Sequence, residues 1–327
     1  MITVRGLSRQ FTVRGQTVDA VKGIDFDVAA GELVGFLGPN GAGKTTTLRM
    51  LTTLLRPTGG SATIAGCDLL TAPEGVRRRI GYVAQGGSTW PESRVGEEIE
   101  LQARLHGLSQ AEARRRGALL ADELDLAGLS QRPTKTLSGG QRRRLDIALG
   151  LVHEPALVFF DEPTTGLDPQ SRANLWDHVR RLRAEQGVTV FLTTHYLDEA
   201  DALCDRILVT DHGTIVASGT PDELKARIAG DTVTLGVAER PDEAAEIARR
   251  LPGAEEVTVV VDTVRFRIPR GDAVLPELLR ALDHRGIAMT SVKVHRPTLD
   301  DVFLSLTGRS LRDDEALPPA VEAVRAA

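Results

Sequence analysis

The segment GPNGAGKTT, Gly38–Thr46, limits what this chain can become more than any other part of it. It fits G-x-x-x-x-G-K-[ST], follows the apolar run LVGFL directly and leads into the helix-compatible run TTTLRMLTTLL. A strand before such a loop and a helix after it are the setting in which the pattern has a mechanism. Glycines there let backbone N–H groups converge on phosphate oxygens, and the helix N-terminus adds a favourable dipole. In that geometry Lys44 neutralises the β- and γ-phosphates of a nucleotide, the Thr45 hydroxyl ligates Mg²⁺, and Thr46 donates to the α-phosphate. Gly38, Pro39, Asn40, Gly41, Ala42, Gly43, Lys44, Thr45 and Thr46 are therefore the expected phosphate cradle.

A loop of this kind needs a sheet behind it. LVGFLG (33–38), ALVFFD (156–161) and VTVFLTT (188–194) are near-continuous apolar runs, as in strands buried on both faces of a parallel sheet flanked by helices. DAVKGIDFDVAAGE alternates and reads as an antiparallel strand bordering that sheet. Residues from about 92 to 153 are largely helical by pattern, which places a helical insertion at about 86–155. With 327 residues the chain is too long for one compact core. Beyond GTPDELKARIAG the pattern becomes strand, helix, two strands, helix, strand, the split ferredoxin-like order. The expected fold is thus α/β, a P-loop NTPase domain over 1–229 with an antiparallel β subdomain and a helical insertion, followed by an α+β ferredoxin-like domain over 230–309. Residues 310–327 are expected to form a disordered tail.

Chemistry gathers at strand ends. Asp161 and Glu162 close ALVFFDE, at the carboxyl edge where open α/β sheets bind ligands. Asp161 suits a hold on Mg²⁺, and Glu162 suits the general base that polarises an attacking water. Adjacent carboxylates repel, so a cation beside one of them is expected. His195, just past VTVFLTT, can reach the γ-phosphate and orient the water. The Gln85 amide, ending the short run GYVAQ, can touch Mg²⁺ or water. LSGGQ, at Leu137–Gln141, presents Ser138 as an N-cap with Gly139 and Gly140 leaving N–H groups open, which makes a second anion site. Held away from the first loop by the helical insertion, it needs a nucleotide from another copy, and a two-fold homodimer supplies both sites at once. Arg142–Arg144 read as mostly solvated or as packing against the other lobe, and not as catalytic.

Composition narrows the partners. A net charge of −5 and an aromatic content of 4% argue against a nucleic-acid partner. Cys67 and Cys204 form no metal or redox spacing, and a reduced, intracellular setting accounts for them. No apolar run approaches the roughly 18–20 residues needed to cross a bilayer, so another chain must supply any membrane part.

The ordered set GPNGAGKTT, Gln85, LSGGQ, LVFFDE, GLD and His195 resembles the nucleotide-binding subunit of ATP-binding-cassette (ABC) transporters, over roughly residues 1–220. The resemblance implies ATP with Mg²⁺ as cofactors, and adenine stacking on Phe11, where tyrosine is commoner. It implies that Asp168 links the two sites of a dimer and that Ser138, Gly139, Gly140 and Gln141 act in trans. It also implies a separate multi-helix membrane permease and a peripheral place on the cytoplasmic face of the cell membrane. The tail of the second domain, RPTLDDVFLSLTGR, is similar to daunorubicin/doxorubicin-resistance-type exporter ATPases, which implies export of a hydrophobic drug. The alternatives are another export or import substrate, such as a lipid, polysaccharide or ion, or a non-transport ABC ATPase.

Overall fold

β1 (Ile2–Val13) and β2 (Gln16–Val28) open the computed structural model as a long antiparallel hairpin. Ile24, Phe26 and Val28 of β2 turn inward in alternation, as read in the sequence, and Val21 is buried one register irregularity earlier. The structure describes residues 1–309 except 14, 88 and 229, so the tail expected over 310–327 lies outside the described residues. Two compact units make up the chain, one ending at Pro221 and the other beginning at Asp222.

In the first unit β3 (Leu33–Leu37) runs into the Gly38–Gly43 loop and α1 (Lys44–Leu51). β4 (Gly59–Ile64) and β5 (Cys67–Asp68) then complete an antiparallel sheet ordered β2-β1-β4-β5. α2 (Pro73–Arg79) and β6 (Ile80–Val83) lead to the helical stretch, α3 (Val95–Leu105), α4 (Gln110–Glu123) and α5 (Gly139–Leu151). β7 (Leu157–Asp161), α6 (Pro169–Gln186), β8 (Thr189–Thr194), α7 (Leu197–Leu203), β9 (Arg206–Asp211) and β10 (Thr214–Gly219) follow. The larger sheet is ordered β10-β9-β3-β8-β7-β6 and is parallel except for β10.

β3, β7 and β8 are buried along their whole lengths, as their unbroken apolar runs require. Phe26 of the antiparallel sheet packs on Phe36 and Phe191 of the parallel one, with ring centroids 6.3 and 5.7 Å away. The two sheets thus share one apolar layer. Because β3, β8 and β7 are neighbours, the Gly38–Gly43 loop, Asp161–Glu162 and Thr194–His195 emerge side by side at one edge.

α1 is shorter than its helix-compatible run, which continues to Leu55. Thr52 turns its hydroxyl back onto the Leu48 carbonyl at 2.9 Å, and Thr53 takes a positive φ of 64°. The N–H groups of Leu54 and Leu55 then close on the Arg49 carbonyl, a helix stop that no glycine announces. α5 also differs from expectation: it packs on β6 and α6 as well as on α3 and α4, so it joins the insertion to the sheet.

The second unit begins within α8 (Pro221–Ala226), earlier than the boundary expected at 229/230. Gly230, the expected boundary, leads into β11 (Asp231–Val237). α9 (Pro241–Arg249), β12 (Glu255–Val260), β13 (Thr263–Ile268), α10 (Gly271–His284), β14 (Met289–His295) and α11 (Leu299–Thr307) follow. The sheet order β12-β13-β11-β14, antiparallel throughout, is the ferredoxin-like arrangement. Val233, Leu235, Val264 and Phe266 face Leu278 and Leu282 in its core. Among the described residues no helix is long and apolar enough to cross a membrane.

Candidate active site

The loop after β3 is shaped by Gly43, which caps α1 at φ 95° and comes so close to β2 that an added Cβ would lie 2.5 Å from the Ala20 carbonyl oxygen. No side chain caps α1, so its first N–H groups are left to a ligand. Asn40 and Gly41 sit exposed at the tip, Pro39 and Ala42 are buried beside them, and Thr46 is half-buried in the first turn. Lys44 is 4% exposed, and its Nζ donates to the carbonyls of Gly38 at 2.7 Å and Pro39 at 3.0 Å.

Two buried carboxylates face this lysine and its neighbour. Asp161 Oδ1 accepts from Thr45 Oγ1 at 3.2 Å and from Thr193 Oγ1 at 2.8 Å. Glu162, at φ 44°, anchors its N–H on Thr193 and turns its side chain to the other side. Glu162 Oε1 lies 3.3 Å from Lys44 Nζ. Its Oε2 accepts from Gln85 Nε2 at 2.9 Å and from Thr165 Oγ1 at 3.3 Å, and pairs with His195 Nδ1 at 3.3 Å.

The electrostatics follow from burial and these partners. Burial pushes the Glu162 carboxyl up, but His195 and Lys44 outweigh it and bring it down to about 2, so Glu162 is ionised at neutral pH. Burial pushes Asp161 up, against the hydrogen bonds from Thr193 and Thr45. Lys44 is held below the usual ammonium range by burial, which the Glu162 charge only partly offsets. Both groups are therefore shifted downward, Lys44 by burial and Glu162 by its cationic neighbours.

The structure brings Lys44, Thr45, Gln85, Asp161, Glu162 and His195 into one cluster. Phe11, Asp168 and the Ser138–Gln141 turn lie outside it. Phe11 is half-buried on β1 beneath the Arg9 guanidinium, 4.6 Å from the ring centroid. Ser138 caps α5 by a reciprocal box, its Oγ accepting from Gln141 N at 3.2 Å and its N–H donating to Gln141 Oε1 at 3.1 Å. Asp168 caps α6, with its two oxygens on Ser171 N at 2.9 Å and Ser171 Oγ at 2.7 Å. Gly139 has open space above it, and Gly140 packs on Ser171, where an added Cβ would lie 2.7 Å from Oγ. The Ser138–Gln141 turn and Asp168 are therefore adjacent within one chain, and the space around Gly139 leaves the turn open.

Thr193 and Thr165 escaped the sequence reading, as did the carbonyl contacts of Arg143. A hydroxyl near the end of an apolar strand, two residues before a candidate histidine, was the available signal for Thr193. The three arginines divide between the two roles expected for Arg142–Arg144: Arg142 is exposed and Arg144 half-buried, while Arg143, at 7% exposure, packs against the sheet lobe. Among the described residues no group of three or more His, Cys, Asp or Glu side chains could hold a metal alone. The Thr45 and Asp161 oxygens fit Mg²⁺ only with phosphate oxygens added, which is how Mg²⁺ is usually held.

Comparison with known proteins extends this geometry. The ABC transporter family matches residues 21–165, and the family described as ATP-binding protein DrrA1-3-like, C-terminal domain, matches 219–307. The daunorubicin/doxorubicin resistance ATP-binding protein DrrA of Streptomyces peucetius is 45% identical over 310 residues, covering 93% of this chain and 92% of that protein. The daunorubicin resistance ATP-binding protein DrrA3 of Streptomyces coeruleorubidus is 44% identical over 317 residues, covering 96% and 98%. A solved dimeric ATP-binding cassette in a post-hydrolysis state bound to ADP and Pi matches with TM-score 0.63 and 26% identity, over 67% of this chain and 98% of that one.

Proposed function

The chain belongs to the ATP-binding proteins of the ABC transporter family, and from that premise we propose that it powers export of a hydrophobic drug through a separate membrane subunit. It is an ATPase. The observation that carries the site assignment is the convergence of Lys44, Gln85 and His195 on the Glu162 carboxylate at one sheet edge.

The geometry supports the following sequence. ATP places its phosphates against the N–H groups of the Gly38–Gly43 loop and α1, and the γ-phosphate replaces Glu162 as the partner of Lys44. Glu162 then loses one cationic neighbour and regains basicity. It takes a proton from a water that His195 and Gln85 orient, the water oxygen bonds to the γ-phosphorus, and the bond from that phosphorus to the β-bridging oxygen breaks. When bound, Mg²⁺ supplies charge neutralisation on the β- and γ-oxygens, and Thr45, Asp161 and Gln85 are the residues that would hold it. Phe11 stacks on the adenine.

A second copy completes the site. Its Ser138, Gly139, Gly140 and Gln141 close over the γ-phosphate, with Asp168 beside that turn joining the two sites. Loss of the γ-phosphate removes the contact and opens the dimer. The partner permease places the chain at the cytoplasmic face of the membrane. The test is ATPase activity in liposomes holding the chain with its membrane partner: an amphipathic polycyclic drug such as daunorubicin should raise the rate. A rate indifferent to such drugs, yet raised by a lipid or sugar substrate, would reject drug export.

A further inference from the structure

Arg143 is on α5, five residues after the Ser138 cap, and no step of the mechanism above uses it. Its guanidinium reaches into the sheet edge and meets three backbone carbonyls. Nε donates to Pro163 O at 2.7 Å, Nη1 to Ala84 O at 2.5 Å and Nη2 to Asp161 O at 3.3 Å. Asp161 and Pro163 are the residues on either side of Glu162, and Ala84 immediately precedes Gln85. One planar fork therefore spans both flanks of the proposed base and the root of the glutamine that binds it.

The arrangement is costly. Burial pushes the guanidinium below its ordinary range, and Asp146 Oδ2, the carboxylate it pairs with, is 3.9 Å away. A charged group is retained at such a place only when its donors are satisfied, and here carbonyls do most of that work. Glu162 needs fixed flanks because its backbone is at a positive φ of 44°, a region that non-glycine residues seldom occupy. Only a fork with several N–H groups in one plane can hold three carbonyls that converge from two strands.

We propose that Arg143 is a positioning residue for hydrolysis: through the carbonyls of Asp161, Pro163 and Ala84 it fixes the carboxylate of Glu162 and the amide of Gln85. Because the same helix begins at Ser138, Arg143 also ties the base of one site to the turn offered to the other. This rests on the assignment of Glu162 as base.

The experiment measures steady-state ATP hydrolysis by purified full-length chain for R143K, R143M, D146N and E162Q. Misplacing a reacting group by about 1 Å costs on the order of 100-fold. R143M should therefore lower kcat by roughly 10- to 100-fold while the KM for ATP stays within about twofold, and R143K should recover part of the loss. D146N, which keeps all three carbonyl contacts, should stay within about twofold of wild type in kcat. If R143M fails to fold, the R143K split of kcat against KM decides. E162Q hydrolysing at the wild-type rate would overturn the site assignment beneath the inference. An inactive E162Q with Arg143 variants at wild-type kcat, or with kcat and KM changing together, would overturn the inference alone. D146N falling as far as R143M would do the same, since the ion pair and not the carbonyl fork would then carry the effect.

Discussion

Replacing Thr193 with valine removes one oxygen and keeps nearly all of the side-chain volume, which isolates a single hydrogen bond. Thr193 is fully buried on β8, and its Oγ1 donates to Asp161 Oδ1 at 2.8 Å while accepting from Glu162 N at 3.0 Å. The Glu162 N–H also reaches the Thr193 carbonyl at 3.1 Å, so that donor keeps a partner in the variant. The net loss is one bond to a buried carboxylate, about 1.5–3 kcal/mol. Valine returns a few tenths through better strand propensity, leaving ~2 kcal/mol. For a unit of this size, about 2–4 °C per kcal/mol predicts a melting temperature lower by roughly 4–8 °C.

The same bond holds the Asp161 carboxyl down against burial. Without it the carboxyl moves further up, because burial is then opposed by one hydrogen bond fewer. Asp161 is used ionised, so the acid limb of the pH–rate profile should shift to higher pH. Calorimetry and ATP hydrolysis between pH 5 and 8 read both effects. A melting temperature within about 1 °C of wild type together with an unmoved acid limb would show that the Thr193 hydroxyl does not support Asp161.

Two further outcomes are expected. His153 donates through Nε2 to the Ile80 carbonyl at 2.9 Å and stacks on His106 at 3.7 Å; burial first, and His106 second, lower it to about 4. Between its unfolded value of about 6.5 and that value the unfolded chain binds a proton the native state does not, so stability falls with falling pH, by up to about 3 kcal/mol. His153→Gln should flatten that slope in urea unfolding series, and parallel slopes for the two proteins would contradict it. Gly43→Ala forces a Cβ to 2.5 Å from the Ala20 oxygen at φ 95° and should weaken ATP binding about tenfold or more in a fluorescent-nucleotide titration. An unchanged Kd would count against the loop geometry.

What could be read from residues alone divides along a physical line. Phosphate chemistry fixes residue types at fixed spacing, and buried parallel strands need unbroken apolar runs, so the Lys44 loop, β3, β7 and β8 were visible without coordinates. The second domain announced itself because half-buried strands such as β13 alternate cleanly. The end of α1 was hidden because Thr53 adopts a glycine-like φ that its side chain does not advertise. Arg143 was hidden more deeply. Three consecutive arginines look alike in a sequence, and only the helical phase of α5 against β6 and β7 decides which one is buried. The position of Asp168 beside Gly140 is likewise a matter of tertiary approach, through Ser171.

The claim on which the account turns is that the Ser138 turn of one copy completes the nucleotide site of another. Sedimentation of the Glu162→Gln variant with saturating MgATP tests it most directly, beside the same variant carrying Ser138→Arg. The account predicts a dimer with one ATP per chain for the first and an ATP-bound monomer for the second. An ATP-saturated Glu162→Gln chain that stays monomeric, or a dimer indifferent to the arginine, would contradict it.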